Sequence, residues 1–209
     1  VALLTVLLAI EASAQLPSNL KAYFPFNGNF NDTLGLNTPG VNTGAVFVND
    51  HFNKPNKAIQ FNATNPDYVN IGTDLSYSTT SLCYWIRPAQ KPIQQVYLSN
   101  LINGYQFTNT AIELRIDSAG KILVFVGCAN TFKMYSSLGS VPFGEWSHVG
   151  VVIDNFTNLK IYINGVLDFN TSISGIIYSK CTYKMHLGSR ANPITDNPYN
   201  GALDELMIF

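Results

Sequence analysis

Aromatic and hydrogen-bonding side chains alternate with aliphatic ones along several short segments of the sequence. Because successive side chains of a β-strand point to opposite faces, the aliphatic set is expected to form a core and the other set to face outward. Aromatic rings stack on the C–H faces of sugars, and charged or amide groups bond sugar hydroxyls. The residues of the second set are therefore candidate ligand-binding residues: Trp85, Arg87, Glu113, Arg115, His148 and Tyr162.

A purely structural interpretation of these residues stays open. Trp85 and Trp146 could be large anchors beneath a crossing loop, and Glu113 with Arg115 could form an exposed pair that contributes less than about 1 kcal/mol. A second candidate for recognition is the loop 196–200, with the sequence Asp-Asn-Pro-Tyr-Asn. Loops on a rigid scaffold commonly carry binding residues, although this one could also be an ordinary connection.

The segments that position the candidate residues are predicted to be β-strands. Helical periodicity is nearly absent, and short runs rich in Val, Ile, Tyr and Phe are separated by Gly, Asn, Asp or Pro. Asn164-Gly165 suits a type I′ hairpin turn, because both residues tolerate positive φ. The spacing favours a sandwich or jelly roll in a single domain. The predicted strands are 22–26, 58–61, 68–71, 82–86, 112–116, 122–126, 149–153, 159–163, 184–187 and 203–208.

The beginning of the sequence predicts export from the cell. Residues 1–10 are almost wholly apolar and are followed by Ala12-Ser13-Ala14, a small-residue cleavage pattern. The apolar run is shorter than the roughly 20 residues that a transmembrane helix needs. We therefore expect a signal peptide at 1–14, one domain from Gln15 to Phe209, and a secreted or cell-surface protein.

Charge and cysteine content narrow the classes of partner. Charged residues make up 12% of the chain, the formal net charge is −1, and no basic run occurs, so nucleic acid and anionic membranes are not expected as partners. Cys83, Cys128 and Cys181 are too few for a disulfide framework and allow one bridge in three alternative pairings. Because Cys83 falls within a predicted strand, a buried free thiol is the simpler expectation for it.

Four groups of motifs follow one another along the mature chain. They are 23–32 (Tyr-Phe-Pro-Phe-Asn-Gly-Asn-Phe-Asn-Asp), 58–61 with 67–71, the tryptophan strand 81–88, and the closing segments 146–149, 161–165 and 201–205. In this order they resemble the laminin-G-like jelly roll of the concanavalin A-like lectin/glucanase superfamily. The resemblance implies an all-β fold, a two-sheet antiparallel jelly-roll sandwich. Because lectins of this superfamily often bind ligands on the concave sheet, it also implies that the six candidate residues share that face.

The resemblance further implies a Ca²⁺ site, since many relatives bind a structural calcium ion. Calcium takes six to eight oxygen ligands, often from carboxylates and Asn side chains. Asn31 and Asp32 offer such oxygens near the start of the domain, and Asp204 offers a carboxylate near its end. No EF-hand spacing supports this site, and Asp32 could instead only close an Asx turn.

The sequence does not predict catalysis. Related glucanases carry the pattern Glu-x-Asp-x-x-Glu, which this sequence lacks. Asp204 and Glu205 are adjacent, so strand alternation predicts that they point to opposite faces, whereas glycoside hydrolysis needs two carboxyl groups facing one bond. We therefore expect a non-catalytic module that recognises carbohydrate, within a longer multidomain chain. An adhesion or structural module that binds an extracellular protein is the alternative, and a divergent glycoside hydrolase is less favoured.

Overall fold

The regular structure of the residues described below consists of β-strands. The computed structural model describes residues 16–64, 67–74, 79–100, 111–128, 131–176, 184–190 and 197–209, and fifteen strands lie in these ranges. They are β1 (Ala22–Phe24), β2 (Val41–Thr43), β3 (Val46–Val48), β4 (Ala58–Phe61), β5 (Tyr68–Asp74), β6 (Thr80–Pro88), β7 (Gln95–Ser99), β8 (Ala111–Ile116), β9 (Ile122–Cys128), β10 (Thr131–Ser136), β11 (Ser147–Asp154), β12 (Asn158–Ile163), β13 (Val166–Ser172), β14 (Lys184–Leu187) and β15 (Gly201–Ile208).

The strands form two antiparallel sheets. One sheet has eight strands in the order β13-β12-β11-β6-β15-β4-β3, with β1 paired to the second half of β15. The other has seven strands in the order β10-β9-β8-β7-β14-β5-β2. In each of these orders half of the neighbouring pairs are not consecutive in the chain, as expected for a jelly roll rather than a meander. The predicted two-sheet antiparallel sandwich is confirmed.

The hydrophobic core lies between the two sheets. Leu82, Tyr84 and Ile86 of β6 are buried, while the residues between them are half-buried on the other side of the strand. The Oη atoms of Tyr84 and Tyr97 are 2.6 Å apart and share a buried hydrogen bond that links β6 of one sheet to β7 of the other. The residues that fill this shared layer therefore determine which side chains of each sheet point outward.

All ten predicted strands are present, and five further strands were not predicted. The short strands β2 and β3, together with β10 and β13, lie at the sheet edges, where many side chains are exposed and the apolar alternation is weak. Strand β7 is buried at all five positions despite containing Gln95 and Ser99. Alternation detects strands that have one buried face, and these five strands depart from that pattern.

Some predictions fall on residues outside the described ranges, and others concern cysteine and membrane-spanning segments. The predicted signal peptide and Gln15 lie outside the described residues, as does Cys181. Cys83 carries a free thiol on the outer side of β6, and burial raises its pKa. In the part of the chain that the structure describes, no helix is long and apolar enough to span a membrane.

Gly188, directly after β14, is required for packing as well as for its backbone conformation. Its φ is +85°, and a Cβ atom there would overlap the ring of Phe61 and the carbonyl oxygen of Asp67. Gly175 has a similar φ of +74° but open space around it. We predict that Gly188→Ala lowers the free energy of unfolding by about 1–3 kcal/mol more than Gly175→Ala, because only the first adds overpacking to the strain of positive φ. Urea unfolding of both variants measures this difference, and equal losses would contradict it.

Candidate ligand-binding site on the eight-stranded sheet

The six candidate residues are divided between the two sheets. Trp85 and Arg87 lie on β6, His148 on β11 and Tyr162 on β12, all in the eight-stranded sheet, whereas Glu113 and Arg115 lie on β8 of the seven-stranded sheet. All six alternate with core residues, so the two groups point away from each other on opposite sides of the molecule. The prediction of a single shared face is wrong, because alternation gives a residue's face but not the sheet that its strand joins.

Glu113 and Arg115 belong to a buried ion-pair network. The Glu113 side chain is 0% exposed and accepts hydrogen bonds from Ser99 Oγ at 2.9 Å, Arg115 Nε at 2.6 Å and Arg190 Nε at 2.6 Å. The Arg115 guanidinium also lies over the ring of Phe125, 4.1 Å from its centroid. These residues are neither an exposed pair nor accessible to a ligand, so both sequence interpretations of them are corrected.

Removing the charge of Glu113 should destabilise the fold. Glu113→Gln would leave two buried guanidinium groups without their carboxylate, and breaking a buried ion pair in this way typically costs about 3–5 kcal/mol. Glu145 is an exposed carboxylate, so Glu145→Gln should change the free energy of unfolding by less than about 0.5 kcal/mol. Denaturant unfolding monitored by tryptophan fluorescence compares the two variants. A Glu113→Gln loss as small as that of the control would contradict the assignment.

A crossing loop covers one face of Trp85. This loop, residues 49–57, connects β3 to β4, and Asp50 Oδ1 closes it by accepting the backbone N–H groups of Phe52 and Lys54 at 2.9 and 2.7 Å. His51 stacks on Trp85 with ring centroids 4.1 Å apart and an interplanar angle of 13°. The structural interpretation of Trp85 as an anchor beneath a loop is therefore correct for this face, although the residue stays half-buried rather than sealed.

Aromatic and polar groups around Trp85 remain accessible. Phe52, next to His51, is 68% exposed, and its ring centroid is 4.0 Å from that of His51. Arg87 lies over the ring of Trp146 at 5.0 Å, and both side chains are half-buried. His148 and Tyr162 are also half-buried on this face. We define the aromatic cluster as His51, Phe52, Trp85, Arg87, Trp146, His148 and Tyr162.

Strand β15 breaks its alternation beside the aromatic cluster. Glu205 has a φ of +49°, and Glu205 and Leu206 together oppose a single residue of β6, which defines a β-bulge. Leu203 and Leu206 are both in the core, so the two residues between them, Asp204 and Glu205, lie on the outer side. The prediction that these carboxylates point to opposite faces is wrong, because the bulge inserts one residue into the period of two.

Asp204 is a buried carboxylate at the base of the aromatic cluster. Its Oδ2 is 2.9 Å from His51 Nδ1, its side chain is 1% exposed, and Oδ1 has no hydrogen-bond partner among the described residues. Burial raises the pKa of Asp204 to about 6, and repulsion from Glu205 acts in the same direction, whereas His51 and the backbone N–H of Glu205 oppose both. Burial lowers the pKa of His148, which favours its neutral form.

The raised pKa of Asp204 predicts a pH-dependent stability. The pKa of Asp204 rises from 3.8 to about 6 on folding, so the folded state binds the proton more tightly than the unfolded state does. The stability that this proton contributes is fully present below about pH 3.8 and is lost as the pH rises through about 6. The variant Asp204→Asn lacks this titration. Its free energy of unfolding, relative to wild type, should therefore increase between about pH 4 and pH 7. Urea unfolding across this range measures the difference. A relative stability of the variant that falls with rising pH would contradict the assignment.

Asp32, one of the residues predicted to bind calcium, is engaged within its own loop. The Asp32 carboxylate accepts N–H bonds from the backbone of Tyr23, Leu34, Leu36 and Asn37 and from the Asn37 side chain, at 2.8–3.2 Å. It thus closes the loop after β1, as the Asx-turn alternative expected. Asn31 is exposed, and within the described ranges no three His, Cys, Asp or Glu side chains are placed to hold a metal. These contacts argue against Asp32 as a calcium ligand, and the calcium site of Asn31, Asp32 and Asp204 stays a prediction.

In the second recognition candidate, the loop 196–200, the tyrosine points inward. Tyr199 is 0% exposed and packs in the core, with its ring centroid 5.8 Å from that of Tyr97 and 6.0 Å from that of Phe61. Asp196 lies outside the described residues. The tyrosine of this loop is therefore a core residue rather than a ligand contact.

Comparison with known proteins places the chain in a family. The Laminin_G_3 model, described as concanavalin A-like lectin/glucanases superfamily, matches residues 62–209, which is more than half of the chain. The chain therefore belongs to this family, as the motifs of its strands indicated. No curated protein sequence shows a significant match.

Solved structures share the fold at low sequence identity. Domain 4 of AbnA, a GH43 extracellular arabinanase from Geobacillus stearothermophilus in complex with arabinotriose, is 23% identical, with a TM-score of 0.69 over 90% of this chain and 91% of that chain. The binding domain of Paraclostridial Mosquitocidal Protein 1 is 17% identical, with a TM-score of 0.70 over 91% of this chain and 48% of that chain. The binding domain of botulinum neurotoxin serotype G is 16% identical, with a TM-score of 0.68 and coverages of 91% and 47%. This chain thus spans about half the length of the latter two.

Proposed function

We propose that the chain is a non-catalytic carbohydrate-binding module of an exported, multidomain protein. The observation that carries this proposal is the aromatic cluster on the outer face of the eight-stranded sheet. It combines the exposed ring of Phe52 with the half-buried Trp146, Arg87 and His148. Rings of this kind stack on sugar C–H faces, and the neighbouring polar groups bond hydroxyls. The arabinanase domain that shares this fold is in complex with arabinotriose, which supports a carbohydrate as the ligand class.

The accessible rings, rather than Trp85, are the proposed stacking surfaces. His51 already occupies one face of Trp85, and His148 meets its ring edge-on with centroids 5.4 Å apart. Trp85 then acts mainly as the support on which His51 stacks, and His51 in turn contacts Phe52. Arg87, held over Trp146, and Tyr162 are placed to bond hydroxyls at the margins of the bound sugar. Of the six residues predicted from the sequence, Trp85, Arg87, His148 and Tyr162 are kept in this proposal.

The arrangement of carboxylates favours binding without hydrolysis. Glu113 is sealed in its ion-pair network, so it is not placed to act on a glycan. Asp204 and Glu205 are consecutive residues of one bulge and would approach a sugar from the same side. Retaining and inverting hydrolysis both need two carboxyl groups that flank the bond, about 5–9.5 Å apart. Incubation with β-glucans and arabinans should release no reducing sugar, and turnover lost in Glu205→Gln would contradict the non-catalytic proposal.

Truncation of the accessible rings tests the proposed binding surface. Phe52→Ala and Trp146→Ala should each weaken glycan binding about 3–10-fold, the loss expected for one stacking interaction. Phe52→Ala should leave the unfolding temperature nearly unchanged, because its ring is 68% exposed. Leu36 is 69% exposed in the loop after β1, outside the aromatic cluster, so Leu36→Ala is the matched control. Titration calorimetry measures the affinities.

A glycan array identifies the ligand for these titrations. The array is run both with calcium and with a chelator, because the calcium prediction is independent of the sugar contacts. Reproducible binding in either condition supports the proposal. The absence of any reproducible signal in both conditions, with a protein shown to be folded by its circular dichroism, would overturn it.

A protein-binding adhesion module is the second candidate. An apolar patch of Leu138, Val166 and Leu167, which are 70%, 69% and 49% exposed, favours it. Asp168 of β13 accepts the backbone N–H of Leu138 at 2.6 Å and so fixes the loop against this edge strand. A partner that binds after enzymatic deglycosylation, and is lost in Leu167→Asp but not in Phe52→Ala, would favour this function over carbohydrate recognition.

A further inference from the structure

The bulge of β15 creates a concentration of negative charge with little compensation. Asp204 and Glu205 both lie on the outer side of the sheet. Among the described residues, the ion pairs that these carboxylates form are limited to the contact of Asp204 with His51. No Lys or Arg side chain in the described ranges pairs with either. We call Asp204 and Glu205 the acidic subsite.

A buried oxygen of the acidic subsite has no donor. The Asp204 side chain is 1% exposed, Oδ2 contacts His51, and Oδ1 is without a hydrogen bond to any described residue. An unsatisfied acceptor in a buried position costs about 1–3 kcal/mol, and more when it is charged. Because the oxygen is buried, a ligand lowers this cost by placing a positive charge nearby rather than by contacting the oxygen. The unpaired oxygen therefore points to a cationic ligand.

Aromatic rings surround the acidic subsite. His51 from the 49–57 loop contacts Asp204 directly, and Trp85 lies beneath His51. Tyr23 of β1 lies opposite Met207 of β15, and His148 of β11 lies opposite Trp85, which itself lies opposite Asp204, so both rings flank the acidic subsite. Ring faces attract cations, most strongly where the cation is shielded from water. Rings and carboxylates together favour a ligand with positive charge.

We propose that the acidic subsite binds the protonated amine of an amino sugar. This inference deepens the proposed function and rests on it, since it names the class of glycan that the aromatic cluster recognises. Glu205 is the accessible member of the pair, being only half-buried, and Asp204 adds its charge from below. The ammonium group donates to the accessible Glu205 carboxylate, and its positive charge lies above the buried Asp204.

A neutral hydroxyl matches the acidic subsite less well than an amine. A hydroxyl could donate one hydrogen bond to Glu205, but it would leave the charges of both carboxylates uncompensated. An ammonium group supplies both a donor and the opposite charge, and the attraction is strengthened by the reduced dielectric of a partly buried site. N-acetylation of the sugar removes that charge. The free amine should therefore be preferred over its acetylated counterpart.

Two trisaccharides that differ only at nitrogen test the inference. Binding of the β-1,4-linked glucosamine trimer and of the N-acetylglucosamine trimer is measured by titration calorimetry at neutral pH, above the Asp204 pKa of about 6. We expect the amine form to bind at least about fivefold more tightly, as a partly desolvated cation–π and ionic contact allows. Glu205→Gln should abolish this preference, and the control Glu145→Gln should retain it, both with an unchanged unfolding temperature.

The outcomes separate this inference from the proposed function. A preference for the amine form that disappears in Glu205→Gln supports the inference. Equal binding of the two trimers, tighter binding of the N-acetylated trimer, or an amine preference that persists in Glu205→Gln overturns it and leaves carbohydrate binding intact. If neither trimer binds although other glycans bind in the array, the inference also fails while the function stands. Failure of every glycan in the array removes both.

Discussion

The apolar layer that the two sheets share is the contact on which the rest of the structure depends. Residues such as Leu82, Ile86 and Leu114 enter this layer with 0–1% exposure, and the buried hydrogen bond between Tyr84 and Tyr97 crosses it. Because a strand has only two faces, filling the layer with one set of side chains places every alternate residue outside. The outer faces are therefore a consequence of the core, and they are the surfaces on which recognition can develop.

The aromatic cluster depends on two departures from regular strand geometry. Regular alternation would have placed the Glu205 carboxylate in the core layer, and the bulge moves it to the outer side of the sheet. The 49–57 loop then returns over the sheet, so that His51 reaches Trp85 and Asp204. A non-glycine residue at positive φ and a buried carboxylate both cost stability. Unfavourable features that are concentrated at one place are typical of functional sites, which agrees with the cluster being one.

The sequence predicts the strands well and the site incompletely, for identifiable reasons. Alternation identifies Trp85 and Arg87 as outward residues because it depends only on neighbours in the chain. It misses His51, whose partner Asp204 is 153 residues away, since no local pattern encodes such a contact. Alternation places Glu113 on an outer face but does not show that its strand belongs to a different sheet from that of Trp85, because strand order is a long-range property. The bulge was missed for a related reason, as Glu205 is not the glycine that usually marks positive φ. The turn Asn164-Gly165, with φ of +50° and +80°, was predicted because its signal is local.

The two outer faces differ in how far their buried carboxylates are compensated by cationic side chains, and this difference bears on which face can bind a ligand. On the seven-stranded sheet, the carboxylate of Glu113 forms ion pairs with the guanidinium groups of Arg115 and Arg190, so its negative charge is already compensated within the fold. On the eight-stranded sheet, Asp204 and Glu205 have only His51 as an ion-pair partner among the described residues. A network that is satisfied internally gains little from a ligand, because binding would exchange one set of contacts for another. The uncompensated charge beside the bulge can be offset by a cationic ligand without breaking a contact within the fold, which favours this side of the molecule for the proposed recognition.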